Sequence, residues 1–77
     1  MRTWMVEMRN SSRQSQYKLA GVLGISQSYY AAIEAGKRQT DMSYSMMERL
    51  AKAFKLPVQA VIEAESERRE RQGGEGK

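Results

Sequence analysis

Three consecutive residues in the first half of the chain, Gly24, Ile25 and Ser26, constrain its fold more than any others. Glycine accepts the left-handed backbone conformation in which many helices end, whereas a residue with a Cβ is penalised there by roughly 1 kcal/mol. Serine is favoured directly before a helix, because its hydroxyl accepts a hydrogen bond from an N–H group of the first turn. Ile25 is expected to point inward. The three residues therefore predict a tight turn between two helices.

Helical patterns lie on both sides of this turn, over residues 16–23 and residues 27–35. We expect the two helices to cross near Ala20, because a small side chain there lets their backbones approach closely. The apolar side chains expected between them are Leu19, Leu23, Tyr30 and Ile33. Two short helices joined in this way form a helix-turn-helix.

The same stretch resembles the phage-repressor-like (Xre-type) helix-turn-helix family. The matching residues are Ser15, Gln16, Leu19, Ala20, Leu23, Gly24, Ile25, Ser26, Gln27, Ser28, Ile33, Glu34, Gly36, Lys37 and Arg38. The resemblance implies an all-α fold, a small bundle of five short helices, and a role in transcription regulation. Three residues depart from the family pattern: Gln14 stands where a buried leucine is usual, Gly21 occupies a helix interior, and Tyr30 replaces a smaller apolar residue.

Apolar residues at helical spacing predict a first and a fourth helix around the helix-turn-helix. The first covers residues 2–10, and methionine on its inward side is expected to act as an adaptable core filler. That side carries Met1, Trp4, Met5 and Met8. The fourth helix follows a loop of residues 37–42 and has Ser43 as its cap. Its expected inward stripe is Tyr44, Met47, Leu50, Ala51 and Phe54.

A fifth helix is expected to begin at Pro57, because proline suits the first turn of a helix. Its apolar side consists of Val58, Val61 and Ile62. Farther along, the charged pairs Glu65–Arg69 and Glu67–Arg71 have the spacing of exposed ion pairs. We therefore expect a DNA-binding domain over residues 1–65, followed over residues 66–77 by a charged helical extension and a flexible tail.

The composition argues against catalysis and against a membrane protein. The chain has no cysteine and no histidine, which removes thiolate catalysis, disulfides and the commonest general base and metal ligand. No catalytic residue, metal or cofactor is predicted. The longest uncharged runs contain Gly, Ser and Gln and are too short to span a bilayer, and nothing resembles a signal peptide. The expected compartment is the cytoplasm.

The positive charge of the chain suits a polyanionic partner. Its 13 basic and 9 acidic side chains give a net charge of +4, and the basic surplus lies within residues 1–56. A helix-turn-helix places the first turn of its second helix against base edges in the major groove of double-stranded DNA. We expect base contacts from Gln27, Ser28, Tyr29, Ala31 and Ala32. Of these, Gln27 is expected to be the principal reader, because an amide can pair bidentately with adenine.

Five further side chains are expected to contact the DNA backbone: Arg9, Gln16, Tyr17, Lys37 and Arg38. Gln16 begins a helix, where its amide and the helix N-terminus both favour a phosphate oxygen, and the family uses a glutamine there in that way. The resemblance also implies that Arg9 pairs with Glu34 and approaches a phosphate. Lys37 and Arg38 follow the second helix and can neutralise backbone charge.

The assembly expected from this reading is a homodimeric repressor on a palindromic operator, joined through the fifth helix. Two alternatives stay open. The chain could be a DNA-binding antitoxin or targeting subunit with a protein partner. It could also be a helical protein-interaction module that has lost DNA binding, since alanine at positions 31 and 32 offers only methyl contacts.

Overall fold

A serine caps the N-terminus of three of the five helices. In a computed structural model, which describes the backbone of residues 1–75 and the side chains of residues 1–70, no strand is present among the described residues. The elements are α1 (Thr3–Ser11), α2 (Gln16–Leu23), α3 (Gln27–Glu34), α4 (Tyr44–Phe54) and α5 (Val58–Glu75). The all-α prediction is therefore confirmed. No helix in the described part of the chain is long and apolar enough to cross a membrane.

The turn between α2 and α3 has the conformation that its residues predict. Gly24 ends α2 with a φ of 72°, in the left-handed region. The hydroxyl of Ser26 accepts a hydrogen bond of 3.0 Å from the backbone N–H of Tyr29 in α3. Ser15 and Ser43 cap α2 and α4 in the same way. The caps at Ser26 and Ser43 were predicted, because each needs only local sequence.

The hydrophobic core lies between the helix-turn-helix and the helices on either side of it. Helix α2 packs on α3 and α4, while α1 packs on α3 and α5 packs on α4. The buried apolar residues are Trp4, Met5, Leu19, Ala20, Leu23, Tyr30, Ile33, Met42, Met46, Leu50, Ala51, Ala53, Phe54 and Val61. The unusual Gln14 is half-buried, and its amide donates to the carbonyl of Ala53 at 3.3 Å. A polar contact thus takes the place of the usual leucine.

Two of the residues expected in the core are exposed instead. Met1 lies before the start of α1 at Thr3, so it is not on the inward face of that helix. Tyr44 is 56% exposed, and the inward stripe of α4 runs from Leu50 to Met46. Steps of four residues keep a side chain near one face of a helix, whereas two steps of three from Leu50 to Tyr44 rotate it away.

The polar part of α5 packs against the N-terminal residues of the chain, although its sequence suggests a solvated helix. The carboxylate of Glu65 is 1% exposed and accepts hydrogen bonds from the side chains of Arg2 and Trp4. The expected exposed pair of Glu65 with Arg69 is therefore wrong. Arg69 pairs with Asp41 instead, at 2.8 Å. The expected pair of Glu67 with Arg71 lies outside the described side chains. The helix includes residues 73–75, where a tail was expected, and residues 76–77 lie outside the described part of the chain.

Candidate nucleic-acid interface

The first turn of α3 presents polar side chains to solvent, while the rest of the helix is anchored in the protein. Gln27 and Ser28 are exposed, whereas Tyr30, Ile33 and Glu34 are buried. Ala31 and Ala32, one turn later, are half-buried. The exposed side of α3 therefore consists of an amide and a hydroxyl at its N-terminal end, followed by methyl groups. An amide and a hydroxyl can read base edges, and a methyl can contact the C5-methyl of thymine.

Tyr29 is half-buried and its ring is fixed by the loop that follows α3. The side-chain amide of Gln39 donates to the Tyr29 hydroxyl at 3.0 Å, and the amide oxygen of Gln39 accepts from the backbone N–H of Ser43 at 3.3 Å. This contact was not predicted, since no sequence pattern links residues 29 and 39. The hydroxyl hydrogen of Tyr29 remains able to donate to a ligand.

A shallow groove of about 600 Å³ runs between α2 and the start of α3. Tyr17, Lys18 and Gln27 line it, and the Tyr17 side chain is 75% exposed. A residue expected to touch the DNA backbone therefore lies on the same surface as the expected principal base reader. Lys18 adds a positive charge to this surface. It was not among the cations predicted to contact DNA, which were Arg9, Lys37 and Arg38.

Arg9 and Gln16 converge on the carboxylate of Glu34 near the end of α3. The Nε of Arg9 donates to Oε2 of Glu34 at 2.7 Å, as the resemblance implied. The amide of Gln16 donates to Oε1 of the same carboxylate at 2.9 Å. One amide hydrogen of Gln16 is engaged in this contact, and the other could donate a hydrogen bond to a phosphate oxygen.

The protonation of this cluster follows from its burial and its hydrogen bonds. Burial tends to raise the pKa of Glu34, but the bonds donated by Arg9 and Gln16 outweigh it, so the pKa is lowered. The hydrogen bond with Glu34 raises the pKa of Arg9. Burial, together with the negative charge of Glu34, raises the pKa of the nearby Tyr30. The cluster therefore carries one carboxylate and one guanidinium at neutral pH.

Lys37 and Arg38 lie in the loop of residues 37–42, which we name the basic loop. Both side chains are exposed. Their backbone N–H groups donate to the carbonyl of Ala32, at 2.9 Å and 3.2 Å, so the loop folds back over the last turn of α3. This arrangement keeps two cations next to the helix that carries Gln27.

Arg2, for which no role was predicted from the sequence, caps the C-terminal end of α3, the end opposite Gln27. Its backbone N–H donates to the carbonyl of Glu34 at 2.6 Å, and its guanidinium donates to the carbonyl of Ile33 at 2.7 Å. A cation at a helix C-terminus is favoured by the helix dipole. No sequence signal could have found this contact, because an arginine before a helix is usually a solvated residue.

The polar side chains on this surface are hydrogen-bonding groups and cations. Within the part of the chain that the structure describes, three or more acidic side chains never come together in a metal-binding arrangement. The polar groups of α2 and α3 offer hydrogen bonds, and the neighbouring cations offer charge, to a partner that carries both bases and phosphates.

The arrangement of α2, the turn at Gly24 and α3 defines a helix-turn-helix protein. A family model described as helix-turn-helix matches residues 7–61, and the chain belongs to this Xre and lambda-repressor-like family. It is a family of DNA-binding transcription regulators. Neither the curated proteins nor the solved structures give a match to the chain.

Proposed function

We propose that this chain is a sequence-specific regulator of transcription, a homodimeric repressor that reads a palindromic operator through α3. The observation that carries the proposal is the exposed first turn of α3, in which Gln27 and Ser28 project from a helix whose other side is buried. A helix held in this way can enter the major groove without moving its neighbours. The compartment of the protein is then that of its DNA, the cytoplasm.

In this proposal the base contacts come from Gln27, Ser28, Tyr29, Ala31 and Ala32. Gln27 supplies most of the sequence preference, because its amide can donate and accept at one base edge. Tyr29 has a smaller role, since its hydroxyl already accepts a bond from Gln39. The two alanines add apolar contacts with thymine methyl groups.

The backbone contacts in this proposal come from Tyr17 and Gln16 on one side of α3 and from the basic loop on the other. Arg9 belongs to the same set, although its bond to Glu34 makes it first a support for α3. Phosphate contacts hold the helix in register and give affinity for any duplex, but they carry no sequence information.

The salt dependence of duplex binding tests the role of the basic loop. Each phosphate contact that is lost should reduce the slope of log K against log salt by about one unit. Lys37→Ala or Arg38→Ala in a dimer should therefore reduce the slope by about two, on matched and unmatched duplexes alike. The control is Lys52→Ala, which removes an exposed cation from the last turn of α4. An unchanged slope in the loop variants would remove these two residues from the interface.

Dimerisation is proposed because one recognition helix reads only a few base pairs. Two copies related by a two-fold axis can place their α3 helices about 34 Å apart in successive major grooves. Val61 is fully buried within the chain, so it is not available for the expected contact through α5. The apolar side chains left for such a contact are the half-buried Val58 and Ile62, with the exposed Leu56 just before the helix.

Sedimentation of the protein, free and on its preferred duplex, tests this assembly. The wild-type protein should form a dimer, and Ile62→Lys should weaken the dimer because it places a charge in an apolar contact. Gln59→Lys adds the same charge to an exposed position of the same helix and should have little effect. A wild-type monomer in both conditions would contradict the proposal. Co-purification with a different protein would then favour an antitoxin or targeting subunit.

A further inference from the structure

The guanidinium of Arg2 is fully buried and uses all five of its N–H groups. Two of them bind the carboxylate of Glu65 in α5, at 3.0 Å and 2.9 Å. The other three donate to backbone carbonyls of Ile33, Arg38 and Gln39. One side chain thus joins α5 to the end of α3 and to the basic loop.

Glu65 is as well surrounded as Arg2. It is 1% exposed, and its Oε1 also accepts a hydrogen bond of 3.0 Å from the indole N–H of Trp4. Arg68, one turn later in α5, approaches the same carboxylate at 3.4 Å. A bidentate pair with these additional donors has a fixed geometry, because a planar guanidinium fits a carboxylate in one orientation.

The basic loop needs such anchors, since its own conformation is strained. Gln39 has a φ of 52°, a left-handed conformation that a residue with a Cβ seldom adopts. Its carbonyl accepts from Arg2, and its side chain bonds to Tyr29 and Ser43. The carbonyl of Arg38 accepts from Arg2 at 3.0 Å. The backbone that carries the two exposed cations is therefore attached directly to the buried Arg2–Glu65 pair.

We propose that Arg2 is a positioning residue for DNA binding: supported by Glu65, it holds the basic loop so that Lys37 and Arg38 meet the phosphates. Arg2 itself is buried and touches no DNA in this account. The inference rests on the proposed function, because the position of the basic loop affects binding only if the loop contacts a nucleic acid backbone. It also implies that a change in α5 at Glu65 alters DNA binding from a distance.

The combined variant Arg2→Met with Glu65→Gln separates this role from simple loss of charge. It removes one positive and one negative side chain, so the net charge of +4 is unchanged. A glutamine at position 65 retains an oxygen that can accept from Trp4, and removing both charges together leaves no uncompensated charge at positions 2 and 65. The carbonyls of Arg38 and Gln39 lose their donor.

Amide hydrogen exchange and duplex binding then give two independent results. The N–H groups of Lys37 and Arg38, bonded to Ala32 in the wild-type protein, should exchange faster relative to those of α4. Affinity for duplex DNA should fall by about tenfold, with a smaller salt slope. Adding Lys37→Ala and Arg38→Ala to the variant should cost less than the same changes cost the wild-type protein, because the cations are already displaced.

Two outcomes would contradict the inference, and a third would contradict the proposed function. Unchanged exchange in the basic loop would overturn it. Faster exchange with unchanged affinity and slope would also overturn it, and would leave Arg2 and Glu65 with a purely structural role. Wild-type protein that binds no duplex in a salt-dependent way would instead overturn the proposed function, whatever the loop does.

Arg2→Lys keeps the test decisive if the combined variant does not fold. Lysine retains the charge beside Glu65, but it has three donors in place of five and cannot reach the carboxylate and three carbonyls together. In Arg2→Lys the loop should then exchange faster than in the wild-type protein, and the salt slope should lie between that of the wild-type protein and that of Lys37→Ala with Arg38→Ala. Wild-type values for both quantities in Arg2→Lys would contradict the inference.

Discussion

Among single residues, Glu34 attaches the end of α3 to two other helices. It is buried at the end of that helix, and it accepts from Arg9 of α1 and Gln16 of α2. The Arg9 side chain is 18% exposed, so the pair is only partly buried, and loss of its charged acceptor should cost about 1–3 kcal/mol. The contribution of Glu34 to the stability of the fold therefore depends on whether its carboxyl group is ionised.

The stability of the protein should therefore depend on pH through Glu34. Its folded-state pKa lies below the ordinary value of 4.5, so the unfolded chain takes up a proton first as pH falls. The contribution of Glu34 is fully present well above pH 4.5 and is lost as pH falls through that value toward the folded-state pKa. Urea unfolding at several pH values should show this loss in the wild-type protein.

Glu34→Gln should lower the free energy of unfolding at neutral pH by about 1–3 kcal/mol, because Arg9 loses its charged acceptor. The same variant should show a shallower decline of stability in acid. Glu48→Gln, which changes an exposed carboxylate of α4, is the matched control. Parallel stability curves for the wild-type protein and Glu34→Gln would show that Glu34 does not cause the acid sensitivity.

At the scale of elements, α2 contains a residue that weakens it. Gly21 lies inside the helix and is exposed, and a Cβ added there would meet no atom within 4 Å. Glycine in a helix interior costs roughly 0.5–1 kcal/mol relative to alanine. Gly21→Ala should therefore raise the free energy of unfolding by about that amount.

Gly24→Ala is the matched control for this prediction, since it makes the same change at the end of the same helix. There the φ of 72° disfavours any Cβ, so stability should fall by about 1 kcal/mol. Chemical denaturation measures both values. Effects of the same sign in the two variants would contradict this account of α2.

The bounds of α2 and α3 could be predicted because Ser15, Gly24 and Ser26 act on their immediate neighbours. The inward stripe of α4 was predicted less well. Met46 and Leu50 lie on its buried face, whereas the expected Tyr44 is exposed. The prediction missed this because the spacing of the apolar residues in α4 fits more than one helical face.

At the scale of the whole molecule, the two ends of the folded chain meet. Arg2 and Trp4 bind Glu65, which lies more than sixty residues away along the chain. Neither residue has a local signal for this contact, because an acidic residue in a polar helix resembles any solvated one. The helices could therefore be predicted from the sequence, and the face proposed to read DNA stays a prediction, whereas the contacts that hold the basic loop required the structure.

The central claim is that α3 reads DNA sequence mainly through Gln27. Selection of bound sequences from random duplexes, with the wild-type protein and with Gln27→Ala, tests it most directly. Loss of one bidentate amide–base pair costs about 1–3 kcal/mol of discrimination, so Gln27→Ala should lose its preference at one position of each half-site and keep its salt slope. Ser28→Ala should have a smaller effect. If Gln27→Ala instead weakens binding to all duplexes equally, or selects the same sequence as the wild-type protein, then Gln27 does not read a base and the account of α3 is wrong.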